Sequence, residues 1–479
     1  MNRTLIQFFE WYLPEDGQHW NRLAGESGYL ASLGITDVWM PPAYKGQAGK
    51  SDVGYGVYDL YDLGEFEQKG TVATKYGTRE EYLRAVEACH RAGMKVWADI
   101  VLNHRMGADE AETVRAGAVS SRNRNQEIAP DAEIRAWTKF TFPGRKGKYS
   151  DFVWDWHCFD GVDWDDRQKQ HQIFELEGKS WETAVDSENG NYDYLMGADL
   201  DMKNPAVLEE LDRWGKWYLD TVGMDGFRLD AVKHISADFF PRWLGKLRRD
   251  SGRDLPAVGE YWHPDARVLK SYLEQCSRVM RLFDVPLHFK FRQLSGADGN
   301  FDLGSLFRDT LAGIEPDYAV TFVDNHDTQP GQALESWVAP WCRPLAYACI
   351  LLRSEGLPCV FYGDLYGIPH SGILPVPELE RLMLARKRYA YGPQRDYLDS
   401  SDVIGWVREG DPAHPGSGMA VALTDRGEGR KRMYAGPGFA GRLFLDFLGN
   451  RREAVRIGAD GWADFPVNGG SVSVWVPAS

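Results

Sequence analysis

Short apolar segments alternate with segments of helical periodicity along most of the chain, and this alternation constrains the fold more than any other feature. Apolar runs of this length, bounded by turn residues, are typical of buried parallel strands. Eight of them with helices between predict an α/β fold, a closed (β/α)8 TIM barrel. The predicted strands are Leu5 to Tyr12, Ile35 to Pro42, Lys95 to Asn103, Asp225 to Asp230, Ala257 to Trp262, Met280 to Leu287, Ala319 to Asp327 and Cys359 to Tyr366.

The longest interval between predicted strands follows the third one and indicates an inserted domain. Residues 105–204 are rich in Asp, Asn, Gly and Trp and lack a long helical period. After Tyr397 the pattern changes to short alternating runs separated by Gly-rich turns, which predicts an antiparallel β-sandwich. We therefore predict a catalytic barrel at 1–104 and 205–396, an inserted domain at 105–204 and a C-terminal β domain at 397–479.

The charge balance excludes several classes of partner. Lys and Arg number 55 against 70 Asp and Glu, a net charge of −15, so we expect neither a nucleic-acid partner nor an anionic membrane surface. Glu10 interrupts the first apolar stretch, and no run of about 18 apolar residues occurs, so neither a secretory signal nor a membrane span is expected. The missing signal predicts a cytoplasmic protein, with a secreted chain trimmed of its leader as the alternative. Six scattered cysteines without a CxxC pair indicate buried thiols in a reducing compartment and support the first interpretation.

Polar side chains cluster where four of the predicted strands end. In a barrel all these ends open on one face, where barrel enzymes place their chemistry. A single strand-end carboxylate is usually a helix cap or a salt-bridge partner, whereas four clusters on one face favour an active site. The clusters are Asp99 to His104, Gly226 to His234, Gly259 to Trp262 and Phe322 to Asp327.

Three carboxylates in these clusters have surroundings that suit the cleavage of an acetal, which needs an acid and, about 5 Å away, a nucleophilic carboxylate. Arg228 lies two residues before Asp230, on the same side of a strand, so its charge should keep Asp230 ionised. Glu260 has apolar and aromatic neighbours, which raise a carboxyl pKa and suit a general acid. Asp327, beside His326, would face the positively charged transition state.

The four clusters resemble, in order and spacing, the signature regions of the α-amylase family of retaining glycoside hydrolases. The resemblance covers essentially the whole chain and implies Asp230 as nucleophile, Glu260 as acid/base and Asp327 as transition-state stabiliser, with Arg228 orienting Asp230. Further segments that carry it are Leu5 to Tyr12, Val53 to Phe66, Asn189 to Met196, Thr328 to Gly331 and Asn468 to Trp475.

The resemblance also implies two sets of substrate-binding residues. Those around the cleaved glucose are Tyr55, Asn103, His104 and His326. Those on the leaving-group side of the glucan are Lys233, His234 and Trp262.

A calcium ion is the cofactor that the resemblance implies, joining the inserted domain to the barrel. Oxygen ligands suit Ca²⁺, a hard cation. The implied ligands are Asn103, Asp193, Asp199 and the backbone carbonyl of His234.

The sequence departs from the secreted liquefying relatives at two acidic positions of their multi-metal cluster. Asp160 and Asp201 are retained, but Glu182 replaces an aspartate and Lys203 replaces another acidic residue. An ammonium group at this position would supply the charge of one cation rather than bind a second. We therefore expect one calcium ion and no multi-metal cluster.

The predicted activity is endo-hydrolysis of α-1,4-glucosidic bonds in starch, glycogen or maltodextrins, with retention of the anomeric configuration. A transglycosylase on the same site is one alternative, because a sugar hydroxyl can attack the covalent intermediate in place of water. A non-catalytic glucan-binding protein is a second alternative, and the intact Asp230, Glu260 and Asp327 weigh against it.

Overall fold

The computed structural model describes residues 2–478, and its centre is a closed barrel of eight parallel strands. Each strand pairs with its neighbours in the chain, and the first also pairs with the eighth. The predicted barrel is confirmed. Its first to eighth strands are Leu5–Gln7, Asp37–Trp39, Lys95–Ile100, Gly226–Leu229, Ala257–Gly259, Arg281–Phe283, Ala319–Phe322 and Leu357–Phe361.

Most of these strands are shorter than the apolar segments that predicted them. The sixth segment was predicted to continue to Leu287, but Asp284 accepts a hydrogen bond from the backbone N–H of Leu287 at 3.1 Å and caps a helix beginning at Val285. The eighth was predicted to reach Tyr366, and Tyr362–Tyr366 is instead a short helix. Apolar runs alone do not separate a strand end from a buried helix start.

Helices surround the barrel. The helix Pro205–Val222 has a strong local start signal, because the side chain of Asn204 accepts from Ala206 N and proline occupies the first turn. The α-helices of the described residues are His19–Leu33, Arg79–Arg91, Pro205–Val222, Phe239–Ser251, Ala266–Gln275, Val285–Ser295, Leu311–Ile314, Arg343–Leu352, Tyr362–Tyr366 and Leu379–Tyr389.

A six-stranded antiparallel sheet is inserted after the third barrel strand. Its first and last strands pair so that Asp199 lies opposite His104, which brings the end of the insertion back to the barrel mouth. Its strands in chain order are His104–Arg105, Glu110–Ser120, Asn123–Lys139, Phe159–Asp165, Gln170–Leu176 and Ala198–Leu200.

Antiparallel strands also form the C-terminal part of the chain, as predicted. Six build one sheet, and Gly429–Tyr434 and Trp462–Val467 form a separate pair. The strands of the larger sheet in chain order are Gln394–Tyr397, Val403–Arg408, Met419–Thr424, Leu443–Asp446, Val455–Arg456 and Ser471–Pro477. A two-stranded ribbon, Lys45–Gly46 with Val57–Asp59, lies beyond the second barrel strand.

All six cysteines are buried and free, as the sequence predicts. Within residues 2–478, no helix combines the length and apolar character needed to cross a bilayer.

Candidate active site and metal cluster

Three carboxylates lie at the mouth formed by the carboxyl ends of the barrel strands. Asp230 directly follows the fourth strand, Glu260 directly follows the fifth, and Asp327 lies in the loop after the seventh. Parallel strands open on one face, so the fold brings together three side chains that are far apart in the chain. Both Glu260 and Asp230 act electrostatically on Asp327.

Arg228 is the centre of this group. Its Nη1 donates to Asp230 Oδ1 at 2.6 Å, and its Nη2 donates to Glu260 Oε2 at 2.7 Å. Its side chain is 1% exposed, so the guanidinium charge is fully removed from water. The sequence placed Arg228 beside Asp230 but did not reveal the bond to Glu260. One cation therefore sets the positions of two candidate reacting carboxylates.

Burial dominates the protonation of these carboxyl groups. It raises the pKa of Asp230 to about 6, with Arg228 opposing the shift and Asp99 adding to it. Burial also raises the pKa of Glu260, again against Arg228. For Asp327, burial and then the negative charge of Glu260 raise the pKa well above its ordinary value. At neutral pH the cluster can thus hold Asp230 in its ionised form.

Tyr55, His104 and His326 lie next to this charged group. The rings of Tyr55 and His326 are parallel, with centroids 5.0 Å apart. His104 Nε2 lies 2.9 Å from the backbone oxygen of Tyr55, and burial lowers the pKa of His104 to about 4. The imidazole is therefore neutral and can exchange hydrogen bonds with a sugar hydroxyl.

Lys233, His234 and Trp262 lie together past the ends of the fourth and fifth strands. Lys233 Nζ donates to the backbone oxygen of Trp262 at 3.3 Å and to Glu188 Oε2 at 3.0 Å. His234 Nδ1 lies 2.6 Å from the backbone oxygen of Tyr192. These contacts join the barrel mouth to the loop before Asp193.

Two residues of this mouth were not singled out from the sequence. Asp99, buried in the third strand, accepts from Arg228 Nη1 at 2.9 Å and from Tyr55 Oη at 2.9 Å. Trp11 lies parallel to both Tyr55 and His326, with centroids 6.1 Å away in each case. For Asp99, the sequence signal was a charged residue among the apolar residues of the third strand. The tryptophan follows the first strand in a chain rich in aromatic residues and carried no such signal.

Buried carboxylates between the inserted sheet and the barrel form two triangles that share Asp160. The ligand oxygens in each triangle lie within 4.8 Å of one another. Asp160 is 0% exposed, and neither of its carboxylate oxygens has a hydrogen-bond partner. Unpaired buried carboxylates are costly unless a cation or a proton neutralises them. The first triangle is Asp160, Asp193 and Asp199, and the second is Asp160, Glu182 and Asp201.

Oxygen donors in the first triangle fit a hard cation. Burial raises the pKa of Asp193 to about 8, with the charge of Glu182 adding to the shift and that of Lys203 opposing it. Asn103 Nδ2 donates to Asp199 Oδ1 at 2.9 Å, so the predicted ligands Asn103 and Asp199 adjoin. Asp160 completes this triangle, although it was not among the predicted calcium ligands.

The second triangle already contains a positive charge. Lys203 Nζ lies 3.7 Å from a carboxylate oxygen of each of its three members, Asp160, Glu182 and Asp201. Lys179 Nζ is 2.7 Å from the other oxygen of Asp201. The ammonium group that the sequence suggested as a substitute for a cation thus lies among the carboxylates.

Known proteins resemble this chain over nearly its whole length. Residues 20–374 match the family model described as alpha amylase, catalytic domain, and residues 419–476 match alpha-amylase C-terminal. An alpha-amylase of Geobacillus stearothermophilus is 57% identical over 99% of this chain and 87% of its own length. The cytoplasmic alpha-amylase of Escherichia coli (strain K12) is 43% identical over 99% of both chains. A solved alpha-amylase of Geobacillus thermoleovorans, complexed with acarbose, superimposes with a TM-score of 0.66 at 18% identity, covering 100% of this chain and 98% of the other.

Proposed function

The chain belongs to the alpha-amylase family and hydrolyses internal α-1,4-glucosidic bonds of glucans, and we propose that it does so with retention, through a covalent bond between Asp230 and the substrate. The observation that carries this proposal is the bridging of Asp230 and Glu260 by one buried guanidinium, that of Arg228. A retaining mechanism needs two neighbouring carboxyl groups, one ionised at neutral pH and one with a raised pKa, and Arg228 holds such a pair.

In the first step Glu260 gives its proton to the glycosidic oxygen as the C1–O bond breaks, and Asp230 forms a bond to C1. In the second step Glu260, now ionised, takes a proton from water, whose oxygen attacks C1 and releases Asp230. Two inversions at C1 give net retention. Asp327 stabilises the positive charge that develops on the sugar ring in both transition states.

We also propose the substrate-binding residues that the resemblance to the family implies. Tyr55, His104 and His326 would contact the glucose that is cleaved, and Lys233, His234 and Trp262 the sugars on the leaving-group side. Asn103 hydrogen-bonds to Asp199, which supports a role in the metal cluster for that side chain. We also propose domain boundaries at 104/105, 204/205 and 396/397.

Proton NMR of a defined linear maltooligosaccharide incubated with the protein tests the mechanism. Shorter products that appear first as α-anomers would support the retaining hydrolase. Products longer than the substrate would favour the transglycosylase alternative. Products that appear first as β-anomers would contradict the role given to Asp230, because a single displacement inverts the configuration.

The pH dependence of kcat/KM is expected to follow these carboxyl groups. Activity should fall as the pH drops through the pKa of Asp230, about 6, since only the ionised form is a nucleophile. It should fall at high pH as Glu260 loses the proton that it donates. Replacing Asp99 by Asn removes a charge that raises the pKa of Asp230, so its acidic limb should move to lower pH. An unchanged acidic limb in this variant would contradict the assignment.

Calcium is the cation that we propose for the first triangle, with Asp193, Asp199, Asn103 and the backbone carbonyl of His234 among its ligands. The fully buried Asp160, whose oxygens have no hydrogen-bond partner, is proposed as a further ligand there. When bound, the ion would neutralise these carboxylates and hold the inserted sheet to the barrel.

One calcium ion per chain is expected in the wild-type protein, because Lys203 already neutralises the second triangle. Replacing Lys203 by Asp should raise the stoichiometry measured by elemental analysis after dialysis from one ion to two. The matched variant Lys203→Met removes the ammonium without adding a ligand, so it should bind the second ion more weakly than Lys203→Asp does. Two or more tightly bound ions in the wild type would contradict this role of Lys203.

We further propose a cytoplasmic location. The likeness to the cytoplasmic alpha-amylase of Escherichia coli and the six buried free thiols support it.

A further inference from the structure

Gln7 reaches the active site from the first barrel strand. It is the last residue of that strand and is 1% exposed. Its Nε2 lies 2.9 Å from Nδ1 of His326, while Nε2 of His326 lies 3.2 Å from Oδ2 of Asp327. The imidazole of His326 therefore connects an uncharged amide to the third carboxylate of the site.

His326 is neutral in this environment. Its ring lies parallel to the ring of Tyr55 and packs against Phe9, with centroids 5.0 Å apart in both pairs. Burial and the positive charge of Arg228 lower the pKa of His326 well below its ordinary value. Of the other ionisable groups, Asp327 faces Nε2, and Tyr55 keeps its proton because burial raises its pKa. A neutral imidazole has one N–H, on one of two nitrogens.

The neighbours of His326 decide which nitrogen carries this proton. Asp327 is ionised in the state in which it stabilises positive charge, and it can then only accept, so Nε2 carries the proton in that state. Nδ1 then has a lone pair and needs a donor, which the amide nitrogen of Gln7 supplies. The amide oxygen of Gln7 has no hydrogen-bond partner, so the contact with His326 is the one hydrogen bond of this amide group.

We propose that Gln7 is a positioning residue that holds the single proton of His326 on Nε2, facing Asp327. This inference rests on the proposed function of Asp327. A carboxylate at position 7 would accept a proton from Nδ1 and favour a charged imidazolium, whereas an amide keeps the ring neutral and orients it. The predicted substrate contact of His326 then comes from a neutral N–H donor of fixed direction.

The tautomer can be measured without substrate. In protein labelled with ¹⁵N-histidine, two-bond ¹H–¹⁵N correlations distinguish a protonated from an unprotonated ring nitrogen. The protein has 11 histidines, and the set of signals lost in His326→Asn identifies this ring. We expect Nε2 protonated and Nδ1 unprotonated in the wild type at the alkaline end of a pH series, where Asp327 is ionised. A proton on Nδ1 would overturn the proposal, whether or not the protein hydrolyses glucans.

Two substitutions separate positioning from simple structural support. Gln7→Met keeps the length of the side chain and should lower kcat/KM about tenfold, the effect of losing one hydrogen bond, with a mixture of tautomers. Gln7→Glu should raise the pKa of His326, because a carboxylate beside Nδ1 favours the charged imidazolium. Once this ring loses its proton at higher pH, the remaining proton stays on Nδ1, next to the introduced carboxylate, and Nε2 presents a lone pair to Asp327. Activity should therefore be restricted to the acidic side of the wild-type profile. The control Gln293→Met, at an exposed position of the helix Val285–Ser295, should change neither readout.

Equal losses in both Gln7 variants with an unshifted pH profile and an unchanged tautomer would assign Gln7 a structural role only and overturn the inference. If the tautomer is as expected but the wild type cleaves no maltooligosaccharide, the proposed function fails and the orientation of His326 by Gln7 stands.

Discussion

Replacing Asp230 by Asn is expected to lower kcat on a linear maltooligosaccharide by roughly 10⁴- to 10⁶-fold, the range seen when a catalytic nucleophile or its partner is removed. The amide cannot form the covalent bond to C1. It keeps an oxygen that can accept from Arg228 Nη1, now 2.6 Å from Asp230, so the fold should be retained. Initial rates of product formation measure the effect. Asp298→Asn, at an exposed position away from the mouth, is the matched control and should match the wild type.

A second substrate separates the nucleophile from the acid. Glu260→Gln should be about as inactive on the maltooligosaccharide, but an aryl maltoside with an activated phenolate needs little protonation to leave. On that substrate the Glu260 variant should recover the first step and the Asp230 variant should not. If the Asp230 variant recovered the first step instead, Asp230 would be the general acid and Glu260 the nucleophile.

Removal of calcium is expected to produce the largest change in stability. A ligand present at about 1,000 times its Kd stabilises the folded state by about 4 kcal/mol. With an unfolding entropy of about 2.1 cal/mol/K per residue, chelation should lower the Tm of the 479-residue chain by about 4 °C if it unfolds as one unit. Calorimetry with and without a chelator measures this difference.

The source of that stabilisation can be assigned with one substitution. Asp199→Asn removes a carboxylate from the first triangle only, so its Tm should be lower than that of the wild type and should no longer respond to chelation. Asp298→Asn should keep the full response. A wild-type Tm that is insensitive to chelation, with no bound ion, would contradict the calcium proposal.

The sequence by itself determined the architecture and the candidate carboxylates. Alternating apolar strands and amphipathic helices are local patterns, and the position of Asp230 or Glu260 directly after an apolar run is visible without knowing any partner. The helix start at Asn204–Pro205 was readable for the same reason, since a cap and its first turn are neighbours in the chain.

Only the tertiary structure decided which side chains meet. Arg228 lies 32 residues from Glu260 and 129 from Asp99, Asn103 lies 96 from Asp199, and Gln7 lies 319 from His326. These pairs form because barrel closure and the return of the inserted sheet bring remote segments to one mouth, and a local pattern carries no information about a distant partner. The pKa of Asp230 was hidden from the sequence for the same reason. Its value of about 6 comes mainly from burial, and burial depends on all the segments packed around Asp230 rather than on its neighbours in sequence.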